Sequence, residues 1–218
     1  MNSTDTNERK VIITGIGGQG IVFLTRLLSQ TALELGQGVV VSETHGMSQR
    51  GGSVISHLKI NGSDAPLIQR GSADVMIALD AGEATQNLDF MRRGGAVFVN
   101  SAEGLHASLA PHLERLDIRV LNYPATAVAV ELGSPAAANI VMAGFVAAFS
   151  VLGLPYEDMI QTLKQISKKG SENNLRAIHA GFEAGKKMNE EEMKHKGHEV
   201  HKGEEENQVV RVFPSQPS

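Results

Sequence analysis

The sequence predicts an α/β fold, a three-layer αβα sandwich with helices on both faces of a mostly parallel sheet. Three observations predict it. Short apolar runs alternate with helically spaced segments from Val11 to Leu121, a glycine-rich turn joins the first run to the first helix, and most of Ala125 to Lys187 carries helical periodicity.

Val11-Ile12-Ile13-Thr14 reads as a buried strand entering the turn Gly15-Ile16-Gly17-Gly18-Gln19-Gly20. Ile21, Leu24, Leu28, Ala32 and Leu35 then mark one face of a helix, which Gly36 stops. Val39-Val40-Val41 is the second strand, so this opening reads as a βαβ unit of Rossmann-like type. Thr44 to Gly52 is a polar loop. Val54 to Ile60 alternates as a strand and ends at the turn Asn61-Gly62. Further strands are expected at Val75 to Leu79, Ala96 to Val99 and Ile118 to Leu121, with a helix over Glu83 to Arg92. The helical C-terminal part comprises Ala125 to Leu132, Ala137 to Leu152, Tyr156 to Ser167 and Asn173 to Lys187.

Three segments follow from this reading: a polar N-terminal segment, 1–10; a folded domain, 11–188; and a charged tail, 189–218. The tail holds seven acidic and four basic residues and little apolar surface, so it is expected to be disordered. It carries most of the net charge of −4, leaving the folded body almost neutral.

Composition narrows the function classes. A chain of 218 residues can bury a full core, and with aromatics at 4% and no Trp that core is aliphatic. The absence of Cys excludes disulfides and thiolate-ligated iron–sulfur clusters on this chain. The slightly acidic balance argues for neither nucleic acid nor an anionic membrane as partner. Met1 to Lys10 lacks an apolar signal core, and the longest apolar run, Ile140 to Leu154, falls short of the roughly 20 residues a membrane span needs. The expected location is cytoplasmic. His195, His198 and His201 are in the tail by composition, and no metal site is expected there.

Gly15, Gly17 and Gly20 satisfy G-x-G-x-x-G between a strand and a helix. Glycine allows the sharp turn and lets an anionic group approach free N–H groups at a helix N-terminus. Gly18 and Gln19 complete the candidate cofactor-binding loop. Glu43, at the end of the second strand, stands where a ribose-binding carboxylate would in a nicotinamide enzyme. The loop alone leaves three readings open: a nucleotide, another anionic or polar partner, or tight strand–helix packing.

A second loop is more specific. Glu43-Thr44-His45-Gly46-Met47-Ser48-Gln49-Arg50-Gly51-Gly52-Ser53 gathers a carboxylate, an imidazole, an amide, a guanidinium and three glycines on the strand edge that carries ligands in open α/β sheets. Glu43, His45, Met47, Gln49, Arg50, Gly51 and Gly52 are candidate contacts to a substrate, to coenzyme A or to a partner. No nucleophilic triad and no second metal ligand at a suitable spacing accompany them.

The glycine loop, followed at this distance by Ser42 to His57, resembles the γ-type domain of 2-oxoacid:ferredoxin oxidoreductases. The His-Gly-Met-x-Gln-Arg-Gly-Gly form resembles the version in small subunits of indolepyruvate oxidoreductases. Asn139-Ile140-Val141-Met142-Ala143-Gly144 is similar to the family's Asn-x-x-x-hydrophobic-Gly pattern and adds Asn139 to the candidate site. The resemblance spans Val11 to Lys187 and omits the tail.

It implies a support role in oxidative decarboxylation of a 2-oxoacid, such as indolepyruvate, to an acyl-coenzyme A. The chain itself would bind no cofactor alone. Thiamine diphosphate with Mg and the iron–sulfur clusters would sit on a large partner subunit, coenzyme A would be the co-substrate, and ferredoxin would accept electrons through the complex. The chain has no thiamine-type Gly-Asp-Gly motif followed by a metal-binding Asn, in keeping with that division. Two alternatives remain on the residues alone: an independent NAD(P)-dependent dehydrogenase using Gly15, Gly17, Gly20 and Glu43, and a non-catalytic oligomer scaffold.

Overall fold

The computed structural model describes residues 8–45, 52–62, 64–167 and 171–208, with backbone alone at 45, 171 and 195–208. Six strands form one sheet: β1 (Arg9–Ile16), β2 (Val39–His45), β3 (Ser53–Ile60), β4 (Ala73–Ala78), β5 (Met91–Asn100) and β6 (Arg119–Tyr123). Their order is β2-β3-β1-β4-β5-β6. The pairs β1–β4, β4–β5 and β5–β6 are parallel, and β3 runs antiparallel to both neighbours. Five of the six strands therefore point the same way, which makes the sheet mostly parallel.

The helices are α1 (Ile21–Glu34), α2 (Ala81–Gln86), α3 (Ala110–Arg115), α4 (Ala125–Glu131), α5 (Ala138–Ala147), α6 (Tyr156–Ile166) and α7 (Ser171–Gln208). Strand alternation builds a core on each face. Val11, Ile13, Val75, Ile77 and Phe98 meet α1 and α4 to α7 on one side. Ile12, Met76, Val97 and Val99 meet α2 and the loops around α3 on the other. The three-layer α/β fold is thus as expected.

Several elements differ from the sequence reading. β1 and β2 do not pair, because β3 inserts between them, so the opening is not a simple βαβ unit. Periodicity alone does not reveal this, since a strand passing between two covered layers is apolar whichever way it runs. The helix expected over Glu83 to Arg92 ends at Gln86; a 3-10 turn at Leu88–Phe90 follows, and β5 begins at Met91. The short helix α3 lies in a stretch where no element was expected. The helix expected to end at Lys187 continues through Gln208. Glu and Lys are strong helix formers, and Glu190 and Lys194 stand at the favourable i, i+4 spacing. Asn189 and Glu192 also hold this part of the helix to the body: Asn189 Nδ2 donates to the Ala148 carbonyl at 3.3 Å, and Glu192 pairs with Arg119 of β6.

α5 is buried from Asn139 to Ala147. It packs on α7 through glycines. A Cβ on Gly144 would overlap the Ile178 carbonyl, and a Cβ on Gly181 would overlap the Val141 carbonyl. The two backbones meet there with no side chain between them. Phe145, beside this contact, stacks on Tyr123 at 4.6 Å and meets Phe98 and Phe149 edge-on. Among the described residues no helix is long and apolar enough to cross a membrane.

Candidate functional site

From β1 the chain moves outward to β2 and β3, then returns to β4 on the other side of β1. The C-terminal ends of β1 and β4 therefore bracket the point where the winding reverses, the usual ligand position in open α/β sheets. The glycine loop follows β1, Leu79 and Asp80 follow β4, and Asn100 ends β5.

Each glycine of the first loop has a defined local environment. Gly18 and Gly20 hold φ values of 99° and 85°, in the left-handed region that glycine adopts without strain. Gln19 folds back over the loop: its Oε1 accepts the Ile16 N–H at 2.8 Å and lies 2.6 Å from where a Cβ on Gly15 would stand. Asn139, at the start of α5, does the same from the opposite side. Its Nδ2 donates to the Gly20 carbonyl at 3.0 Å and fills the space a Cβ on Gly20 would need. Two carboxamides of this chain thus occupy the spaces that Gly15 and Gly20 leave open.

The second loop returns to the first. Gly17 N–H donates to the Gly52 carbonyl at 2.9 Å, and Ser53 Oγ donates to the buried Glu83 Oε2 at 2.6 Å. Asp80 caps α2 through the Glu83 N–H, and Asn87 Nδ2 ties Glu83's carbonyl to Thr14 Oγ1. This polar chain anchors the C-terminal end of the second loop beside the glycine loop. Gly46, Met47, Ser48, Gln49, Arg50 and Gly51, central to the sequence reading, lie outside the described residues.

Glu43 is exposed and stands two strands from β1, level with Ser56 of β3 and through it with Ile13. At about 4.8 Å per strand that is roughly 10 Å sideways from β1, and short of the glycine loop. A ribose-binding carboxylate sits on the strand next to β1, a place that β3 occupies here. His45 is level with Gly15, with Val54 between them.

Sequence reasoning missed the cleft beside the loop. It measures about 220 Å³ and is lined by Gly18, Gln19, Leu79, Asn100, Thr126, Pro135, Ala136 and Ala138. Asn100 Nδ2 donates to the Leu79 carbonyl at 3.0 Å and to Thr126 Oγ1 at 2.8 Å, and its Oδ1 accepts the Thr126 N–H at 3.1 Å. These residues come from the ends of three strands (β1, β4 and β5), the starts of α4 and α5 and the 3-10 turn before α5, so apart from Gly18 and Gln19 no local motif marks them. Among the described residues no three His, Cys, Asp or Glu side chains are placed to hold a metal ion.

An open α/β sheet covered on both faces, with a glycine loop and a second loop bridged at its switch point, defines a small domain of the doubly wound class. The chain belongs to the pyruvate ferredoxin/flavodoxin oxidoreductase family, whose profile matches residues 10–184. It is 31% identical over 186 residues to indolepyruvate oxidoreductase subunit IorB of Archaeoglobus fulgidus, covering 79% of this chain and 92% of that one. The fold matches the gamma subunit of a keto/oxoacid ferredoxin oxidoreductase from Geobacter sulfurreducens, with a TM-score of 0.66, 22% identity, and coverage of 81% of this chain and 98% of that one. It also matches 2-oxoglutarate:ferredoxin oxidoreductase from Magnetococcus marinus, solved with 2-oxoglutarate, coenzyme A and succinyl-coenzyme A bound, with a TM-score of 0.68 at 22% identity. There it covers 83% of this chain and 31% of the longer one. The resemblance read from the two loops and the expected α/β fold are both borne out.

Proposed function

We propose that the chain is the small subunit of an indolepyruvate-type 2-oxoacid:ferredoxin oxidoreductase and that its switch-point loops close the active site of a larger partner. The observation that carries this reading is the near end-to-end match to a small subunit of that kind, with both loops bridged at one sheet edge. A chain without Cys leaves cluster ligation to the partner, which also holds thiamine diphosphate with Mg. Thiamine diphosphate supplies the decarboxylating chemistry, ferredoxin takes the electrons and coenzyme A takes the acyl group. The residues of this chain bind, orient and exclude water at the coenzyme A end. Gly15, Gly17, Gly18, Gln19, Gly20 and Asn139 shape the first loop; Glu43, His45, Met47, Gln49, Arg50, Gly51 and Gly52 supply contacts to substrate, coenzyme A or partner.

The position of β3 weighs against the dehydrogenase alternative, because it separates Glu43 from the glycine loop. The test is reconstitution. The chain alone is expected to be inert, and added large subunit restores coenzyme A-dependent turnover of the 2-oxoacid. Arg50→Ala in that complex lowers affinity for coenzyme A or for the large subunit by about thirty-fold, the scale of losing a charge-assisted contact of about 2 kcal/mol or more. Arg50→Lys fails to rescue, because an ammonium lacks the planar fork of a guanidinium. Wild-type turnover and wild-type assembly of Arg50→Ala would remove the second loop from the site.

A further inference from the structure

The second loop rejoins the sheet over a buried carboxylate. Glu83 lies on α2, 8% exposed, beside the core residue Ala84. Among the described residues its side chain has one polar partner, the Ser53 hydroxyl at 2.6 Å, and no basic side chain pairs with it. Burying a carboxylate with a single neutral partner costs free energy that an apolar side chain of similar size would not. α2 has no need of it, because Asp80 supplies the cap and Ala84 the core contact. What the carboxylate does reach is the first residue of β3.

That residue is where the sheet is easiest to open. Ile16–Ser53 is the terminal pair of the β1–β3 ladder, and strand ends fray before their middles. The hydrogen bonds around it form a closed circuit. Thr14 Oγ1 accepts Asn87 Nδ2 at 3.1 Å, and the same amide donates to the Glu83 carbonyl at 2.8 Å. Glu83 holds Ser53, and the adjoining Gly52 carbonyl accepts the Gly17 N–H at 2.9 Å, which leads back to the glycine loop after β1. Thr14, Asn87 and Glu83 are buried, so water does not compete for their bonds.

We infer that Glu83 is a positioning residue: by accepting the Ser53 hydroxyl it holds the second loop against the glycine loop in the arrangement the complex uses. The inference rests on the proposed function above and deepens it. Glu83 acts through Ser53 and Gly52, not by contact with a substrate. The role asks for an acceptor oxygen at that place and not for a negative charge. Without the bond the working arrangement is populated for only part of the time, and each contact the loop makes weakens by that fraction.

The experiment measures kcat/KM for coenzyme A and the 2-oxoacid in the reconstituted complex, the affinity of the chain for the large subunit, and the Tm of each full-length variant. Glu83→Leu and Ser53→Ala are each expected to lower kcat/KM or subunit affinity by about ten- to a hundredfold, the scale of a misplaced contact group. The Tm of Glu83→Leu stays level or rises, because an apolar side chain replaces a buried carboxylate. Glu83→Gln keeps most of the rate, since its Oε1 accepts the same hydroxyl. The double variant Glu83→Leu/Ser53→Ala loses no more than either single one, as two groups acting through one bond require. Wild-type kinetics and assembly in Ser53→Ala or Glu83→Leu overturn the inference. A Glu83→Gln variant as impaired as Glu83→Leu overturns it too, by assigning the effect to the charge. So does a fall in Tm that tracks the fall in rate across the variants, which leaves Glu83 a structural role only. Should Glu83→Leu fail to fold, the other two decide: Ser53→Ala must lose rate and Glu83→Gln must keep it. A wild-type complex that does not turn over the 2-oxoacid with coenzyme A contradicts the proposed function itself and takes the inference with it, an outcome that needs no variant.

Discussion

At the scale of single residues, His57 shows how far burial outweighs residue type. It lies on β3, buried, with Nδ1 accepting the Ile68 N–H at 3.2 Å and Phe90 edge-on at 5.4 Å. Burial, and then the nearby charge of Lys59, hold its imidazole below the ordinary value of 6.5. The folded form therefore keeps a neutral ring with its proton on Nε2, while the unfolded chain binds the proton more readily. The resulting stability is complete above pH 6.5 and is lost as pH falls from there toward the folded value. Denaturant unfolding at stepped pH should show this decline, and His57→Leu should flatten it while lowering stability at neutral pH through the unpaired Ile68 N–H. An equal slope in wild type and variant would remove His57 as the source. Gln19 and Asn139 were legible as candidate residues from motif and resemblance. Their actual use, filling the space above Gly15 and Gly20, was not, because Asn139 reaches Gly20 from 119 residues away in sequence.

At the scale of elements, the decisive contact is α5 against α7. Gly144 was visible in the sequence as the end of a motif, whereas no sequence pattern singled out Gly181. In the fold each faces a carbonyl on the other helix, so the pair sets how closely the helices approach. Gly144→Ala and Gly181→Ala are each expected to destabilise the chain by about 1–3 kcal/mol through overpacking, despite alanine's better helix propensity. That corresponds to a fall in Tm of roughly 2–12 °C for a domain of this size. A rise in Tm for either variant would mean that propensity wins and the helices can separate at little cost. The alternation of β1, β4 and β5 between two cores was readable, since inward residues repeat every second position; the insertion of β3 was not.

At the scale of the whole molecule, the long α7 raises the question of where the folded unit ends. Asn189 and Glu192 contact the body, and Glu192's pairing with Arg119 is about one third exposed on each side. Such pairs contribute about 0–1 kcal/mol, and a hydrogen bond roughly 1 kcal/mol. Truncation after Lys194 should therefore leave Tm within about 2 °C, and truncation after Met188 should lower it by no more than about 8 °C. A larger drop after Lys194 would show that residues 195–218 contribute to the folded state. Fold class, the two loop motifs and the family they point to were all accessible from the chain alone, because apolar period, glycine placement and loop chemistry are local properties. Strand order, the bridge from Gly17 to Gly52, the Glu83 anchor under Ser53 and the neutral cleft became visible only in three dimensions. They join residues separated by tens of positions, and which segments meet is decided by packing both faces of one sheet at once, a condition that no local pattern encodes.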